Sequence, residues 1–469
     1  MGRGEGRAQP VTGSEPPVSP VDDGVEEALA LVSAPRPGPG PGPGPVPGPA
    51  PAPEPAPGHR PRHRAAPWHR ARDTAVAAGK VAPRRSHRVP LDRALGQTLA
   101  APLTALTDLP SFDTSAMDGW VVAGPGPWRI RGAADGILAG HAAPAALEDG
   151  EAVRIATGAR IPAEATAVIR SEHARTDDAR GLLHAQRDVV TGQDIRPRGQ
   201  ECRSGDQLLP VATLVTPAVL GLAAAAGYDE LSTVPRPRVE VFVLGDELLA
   251  QGLPHEGLIR DALGPMLGPW LAMLGADVVA TRRLTDDAEV LLAAVRESRA
   301  DVVMTTGGTA AGPVDHVHPV LRALGAELLV DGVAVRPGHP MLLARLADGR
   351  HLVGLPGNPL AAVSALLTLA EPLLRELAGR VGGAASTGPY TAVLRDEVHG
   401  HPYDTRLVPV VHQGDRIVPL HYNGPAMLRG IAAADGLAVV PPGGAKGGQE
   451  VEVLDLPWGQ LGAGGGCFT

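Results

Sequence analysis

Arg238-Val-Glu-Val-Phe-Val-Leu-Gly-Asp-Glu-Leu248 decides how the chain is read. Up to Leu244 it is a short apolar, β-branched run, the pattern of a strand buried on both faces of a parallel sheet. Gly245-Asp-Glu247 ends it. Asp301-Val-Val-Met-Thr-Thr306 repeats the design and ends at Gly307-Gly308, and His351-Leu-Val-Gly354 ends at Leu355-Pro-Gly-Asn-Pro359. A helical stretch follows each run. Asp261 to Leu274 is mostly apolar. Asp286 opens a helix with Glu289 three residues on, a capping box. Pro359 to Leu377 starts on proline, whose missing N–H costs nothing at a helix entrance. Strand, glycine turn and helix repeated in this way predict a parallel sheet with helices on both faces. Ligands of such sheets bind beyond the carboxyl ends of the strands. Free N–H groups at the helix starts favour anions there.

The 469 residues predict several domains with ample core. A net charge of -9 gives no reason to expect nucleic acid as a partner. Cys202 and Cys467 are the two cysteines, too few for a disulfide framework, which fits a reducing cytoplasm. No run of about 18 apolar residues exists, so no membrane span is expected. Met1-Gly-Arg-Gly-Glu-Gly6 lacks the apolar segment of a secretory signal. Aromatics are only 3%, so the core has to be built from Ala, Val and Leu.

Residues 1–66 are expected to be disordered, because Pro35 to Gly58 is almost entirely Pro, Gly and Ala and has no core to bury. Such a run behaves as an extended, semi-flexible tether. His59 to Arg72 is basic; it is either a site for an anionic partner or, the commoner fate of a charge run, a solvated flank. Ordered structure is expected from about Trp68, with a short helix over Arg70 to Gly79. Val89 to Ala100 reads as a strand edge followed by a helix. Asp108-Leu-Pro-Ser-Phe-Asp-Thr-Ser-Ala-Met-Asp-Gly-Trp120 then carries acids and hydroxyls with few side chains able to drive folding. Polar loops of that kind carry function more often than packing. Trp120 to Val190 alternates short β-like runs with glycine turns, a small β domain that Asp194 to Asp206 closes. Pro217 to Gly227 is an Ala-rich helix. Thr391 to Leu456 reads as a small β-barrel or sandwich.

These motifs together identify the chain as resembling the molybdopterin molybdenumtransferase family (MoeA-like, related to the gephyrin E domain). Leu109-Pro-Ser-Phe-Asp-Thr-Ser-Ala-Met-Asp-Gly-Trp120 matches its most specific signature. Arg154-Ile-Ala-Thr-Gly-Ala159, Leu244-Gly-Asp-Glu-Leu248, Thr306-Gly-Gly-Thr-Ala-Ala-Gly-Pro-Val-Asp315, Arg336-Pro-Gly-His-Pro340 and Gly354-Leu-Pro-Gly-Asn-Pro359 follow in the family's order and spacing. The resemblance implies an α/β multidomain subunit. Its parts would be an elongated discontinuous domain (67–120 and 203–236), an inserted small β domain (121–202), a MogA-like parallel α/β domain (237–380) and a C-terminal β-barrel (388–458). It implies a cytoplasmic homodimer whose cleft lies between one subunit's α/β domain and the other's inserted domain. The implied reaction takes adenylylated molybdopterin and molybdate to molybdenum cofactor and AMP, with Mg2+.

Carried over onto this sequence, the family's catalytic acids fall on Asp118, Asp246, Glu247, Asp286 and Asp315, with Asp246, Glu247 and Asp315 as Mg2+ ligands. Hard carboxylate oxygens at strand ends suit Mg2+ bridging phosphates. The substrate-binding set is Thr157, Arg196, Glu201, Gly307, Gly308, Arg336, His339, Pro356, Pro359 and Arg406. Each has a plainer reading. Gly307-Gly308 can be amide donors for an anion or only a tight turn. Asp246-Glu247 can be a helix N-terminal charge pair, and Asp286 a mere N-cap. Arg196 can hold a phosphate or sit in a surface ion pair. Asp118 and Thr157 lie outside the α/β unit, so a cleft role for them needs the partner subunit.

The departures from the family gather at its oxyanion pocket. Its Lys-Pro-Gly-Lys-Pro is here Arg336-Pro-Gly-His-Pro340, so both lysines used on molybdate are gone. His339 is charged only in part near neutral pH. Ala361 and Pro425 replace serines, Asn423 a glutamine and Ala310 a serine; Ala262-Leu263 stand for Ser-Asn. Gly199-Gln-Glu201 stands for Gly-Glu-Asp, one methylene longer at the acid. Arg406 is retained. Losing such charged hydrogen bonds, at ~1.5–3 kcal/mol each, weakens anion binding. Two functions follow: a divergent enzyme with a re-made pocket, or a non-catalytic paralogue that carries molybdopterin or regulates its use. A scaffold role is a third.

Overall fold

Six strands make the central sheet, in the order Asp277–Leu284, Arg238–Leu244, Val302–Thr306, His351–Leu355, Leu342–Arg345 and Glu327–Asp331. The computed structural model describes residues 65–82, 85–131, 136–310, 315–380 and 389–458. The tail as far as residue 64, including the basic residues 59–64, lies outside them. The first four strands are parallel. Leu342–Arg345 runs antiparallel to both neighbours, so the sheet is mixed rather than purely parallel. A tight hairpin joins it to His351–Leu355, and such a connection can only make an antiparallel pair.

Alternation along the strands explains the layers. Val239, Val241, Val243, Met304 and Val353 point into one core with the helices Leu263–Met273 and Pro359–Leu377, and with Trp68–Val81 from the chain's start. Phe242, Leu244, Val303 and Leu352 point the other way, into a core with the helices Ala288–Glu297 and Val317–Ala323. Helices therefore cover both faces, as the continuous apolar runs predict.

The N-terminal helix is longer than its sequence signal. Trp68 donates from its indole to the Thr368 hydroxyl at 3.0 Å, and the Arg72 guanidinium donates to the Leu367 carbonyl. Both acceptors lie in a π-helical turn, Leu366–Ala370. Arg72 is thus packed between elements, not part of a solvated flank, and burial lowers its pKa. Ala66, assigned to the tail from sequence, pairs together with Pro67 in parallel with Val333–Ala334.

Two segments on either side of the inserted region pair with each other. His87–Pro90 and Thr98–Leu99 flank Glu230–Val234, and Leu103–Thr104 meets Gln207–Leu209. Between them lies a six-stranded sheet in the order Ala174–Asp177, Leu182–Ala185, Trp128–Ile130, Glu151–Ile155, Gly119–Val122 and Ala167–Arg170. At the C-terminal end Thr405–Gln413, Arg416–Pro419, Thr391–Leu394, Glu450–Asp455 and Gly436–Val440 close into a five-stranded barrel. Val408, Val410, Ile417, Ala438 and Val453 fill its interior, while Leu407, Val411, Val418 and Leu437 join the central core. An arm from the α/β unit, Val333–Arg336, pairs in parallel with the barrel strand at Thr405–Arg406. Among the described residues no helix is long and apolar enough to cross a membrane.

Candidate functional site

The tips of the parallel strands bring two of the expected acids together. The Asp246 amide donates to Asp286 Oδ2 at 3.2 Å, and the Asp286 amide donates to Asp246 Oδ1 at 3.3 Å. This reciprocal clasp ties the turn after Arg238–Leu244 to the turn after Asp277–Leu284. It also corrects the capping-box reading. The helix N-cap is Asp287, which accepts from the amides of Glu289 at 2.8 Å and Val290 at 3.0 Å. Those two amides hold the Asp287 carboxyl below its ordinary range. His316 reaches the same turn, its Nε2 lying 3.1 Å from the Asp286 carbonyl. A carbonyl has no proton to give, so Nε2 is the donor.

Glu247 is exposed beside Asp246, and Asp315 precedes His316 at the half-buried entrance to the helix Val317–Ala323. Among the described residues no three His, Cys, Asp or Glu side chains gather closely enough to form a metal cluster. The expected ligand trio is therefore not preassembled. Gly307 and Gly308 both take positive φ, 82° and 64°, as the turn requires. The Gly307 amide donates to the Leu355 carbonyl at 2.8 Å, and the Gly308 amide has no backbone acceptor among the described residues. Thr306, 1% exposed at the strand's last position, has a hydroxyl without a partner among the described residues. Sequence reasoning passed over that side chain. Pro356 is buried, and Gly357 lies over the Gly307 backbone.

A second group forms on the inserted sheet. The Thr157 amide donates to Asp118 Oδ1 at 2.7 Å, so these two expected residues meet. Ser115 pairs with Ile195 and Thr114 with Arg196, which sets the exposed Arg196 beside the signature loop. The Glu201 amide donates to the Leu109 carbonyl at 2.9 Å, anchoring that loop's other end. Arg198, not singled out from sequence, is gripped by the Asp108 side chain, and its amide donates to Asp113 Oδ1 at 2.6 Å. The Ser204 amide, then Arg198, hold Asp108 below the usual carboxylate range. Two concavities nearby, of about 300 and 630 Å³, are lined by residues such as Arg170, His173 and Thr191 and include none of the strand-tip acids. An Arg170–Asp194 pair with contacts of 2.9 and 3.0 Å braces the smaller one.

The residues expected to form an oxyanion pocket differ most from expectation. Arg336 Nε donates to Asp404 Oδ2 at 2.8 Å, so its charge already has a counter-ion. His339 is half-buried, with Nδ1 unpartnered among the described residues. The retained Arg406 donates to the His399 carbonyl and, at 3.4 Å, to Asn423 Oδ1, and burial lowers its pKa. The helix start after Pro359 is not open to an anion. The amides of Leu360 and Ala361 both donate to the Pro425 carbonyl, at 2.9 and 3.2 Å. Asp404 went unnoticed in the sequence, although a carboxylate two residues before Arg406 is itself a signal.

Known proteins share this architecture. The model for the MoeA N-terminal region (domain I and II) matches residues 67–227. That for a probable molybdopterin binding domain matches 240–376, and that for the MoeA C-terminal region (domain IV) matches 391–456. A molybdopterin molybdenumtransferase of Staphylococcus aureus is 30% identical over 382 residues, spanning 78% of this chain and 90% of the relative. One from Staphylococcus epidermidis is 28% identical over 383 residues, with the same shares covered. The crystal structure of a molybdopterin biosynthesis MoeA protein from Pyrococcus horikoshii superposes with a TM-score of 0.68 at 27% identity. That match covers 84% of this chain and 99% of the other. The chain belongs to the molybdopterin molybdenumtransferase family.

Proposed function

We propose that this chain inserts molybdenum into molybdopterin held as its adenylate, releasing AMP. The observation that carries the reading is the clasp of Asp246 and Asp286 across two strand tips, beside the Gly307-Gly308 turn. The Gly308 amide points a donor at the phosphates. Asp286 and Asp246 hold each other's backbone, so neither carboxylate is free to swing as charge moves onto the departing phosphate. Mg2+ takes few protein ligands and completes its octahedron with water and phosphate oxygens. Asp246, Glu247 and Asp315 fit that sharing without a preformed cluster, and the ion bound there would neutralise charge on the anhydride. We place Asp118 and Thr157 of one protomer across the cleft from the strand tips of another, in a cytoplasmic homodimer. Their separate sheet supports that placement.

The test is release of AMP from adenylylated molybdopterin with Mg2+ and molybdate. AMP should appear in proportion to cofactor formed. Mixed dimers of Asp118→Ala and Asp315→Ala chains should regain roughly a quarter of wild-type turnover, since half of randomly paired dimers keep one intact site of two. No recovery removes the shared cleft. A second reading, a carrier or regulator, is favoured by the neutralised Arg336 and by the Leu360 and Ala361 amides spent on Pro425. Intact adenylate binding with no AMP at millimolar molybdate would select it.

A further inference from the structure

We propose that Asp404 is an internal competitor of the substrate oxyanion, a carboxylate that molybdate must displace from Arg336 to bind. This rests on assigning the pocket around Arg336, His339 and Arg406 to molybdate. The parallel register sets Arg336 directly opposite Arg406. Like charges so placed repel, and Asp404 relieves them. It is 9% exposed and accepts from Arg336 Nε at 2.8 Å. His401 also approaches Asp404 Oδ2, at 3.4 Å. Its Nδ1 accepts from the amides of Asp404 at 3.0 Å and Tyr403 at 3.3 Å. Two arginines and one aspartate leave a formal +1 (2 − 1) facing a dianion. Asp404 thereby sets how much oxyanion the pocket needs before it fills.

The experiment is equilibrium dialysis of molybdate, and in parallel tungstate, against the full-length chain. Asp404→Asn keeps the size of the side chain and an acceptor for Arg336 while removing the competing charge. It should bind molybdate about tenfold more tightly. Asp404→Ser should show the same direction, and guards against a local fault in the Asn variant. Arg336→Gln should weaken binding more in the Asp404→Asn background than in wild type, because only there does Arg336 lack a counter-charge; that non-additivity measures the coupling. Equal or weaker molybdate binding by both Asp404 variants overturns the proposal and leaves the pocket assignment standing. No binding by wild type or either variant, with adenylylated molybdopterin still bound, overturns the assignment and the proposal together.

Discussion

Asp246 accepts the Asp286 amide through one carboxylate oxygen, and an asparagine can do the same. Asp246→Asn therefore separates its two tasks. The clasp should survive, with stability within about 1 kcal/mol of wild type by urea denaturation. Turnover should fall at least a hundredfold if the proposed function holds, because that reading sets the Asp246 charge against the anhydride. Equal turnover would leave Asp246 a structural residue only. At this scale the sequence was legible where chemistry and position coincide: an acid after a β-branched run ending in glycine sits at a strand tip. It was illegible where neighbours compete. Asp286 and Asp287 stand side by side, and a capping-box spacing counted from the first obscured that the second does the capping. The Arg336–Asp404 pair spans 68 residues, and no local pattern announces it.

The helices Trp68–Val81 and Glu371–Leu377 approach so closely at Gly79 that a Cβ there would lie 2.5 Å from Glu376 Cβ and 3.0 Å from the Leu373 carbonyl. Alanine gains up to ~1 kcal/mol of helix propensity over glycine, but overpacking costs ~1–3 kcal/mol. Gly79→Ala should be destabilising on balance, seen as a lower urea midpoint with an unchanged slope. A rise would show that the helices separate without penalty. Strands buried on both faces were readable from their apolar runs, and the π turn was not. Leu360 to Leu377 is apolar almost throughout. Nothing in it marks Leu366–Ala370, whose Leu367 carbonyl and Thr368 hydroxyl accept from Arg72 and Trp68 nearly 300 residues earlier in the chain.

In the whole molecule, acids gather where the first helix, the α/β unit and the barrel meet. Burial raises the Glu371 carboxyl, against the pull of Arg72 and Arg375 and with a push from Asp455. It raises Glu452 against Arg72, and Asp455 against His412 with Asp435 adding to the rise. A carboxyl that holds its proton more tightly when folded gains stability as pH falls through its folded pKa. Asp194 and Asp348 have lowered pKa values, and their contribution is lost as pH falls below the ordinary carboxylate range. The Tm should therefore rise on mild acidification from neutral and then drop. Glu371→Gln should flatten the rise; an identical profile in that variant would remove Glu371 from the balance. The layered α/β unit and the barrel were visible in their patterning, whereas their joining through Val333–Arg336 was not, because pairing between distant strands leaves no periodicity. That arm has a further consequence during synthesis. It leaves the ribosome before its partner strand at Thr405, so each nascent molecule carries an unsatisfied β edge for an interval. Open edges of that sort recruit other chains, which makes slow translation between these two segments the point at which aggregation would begin.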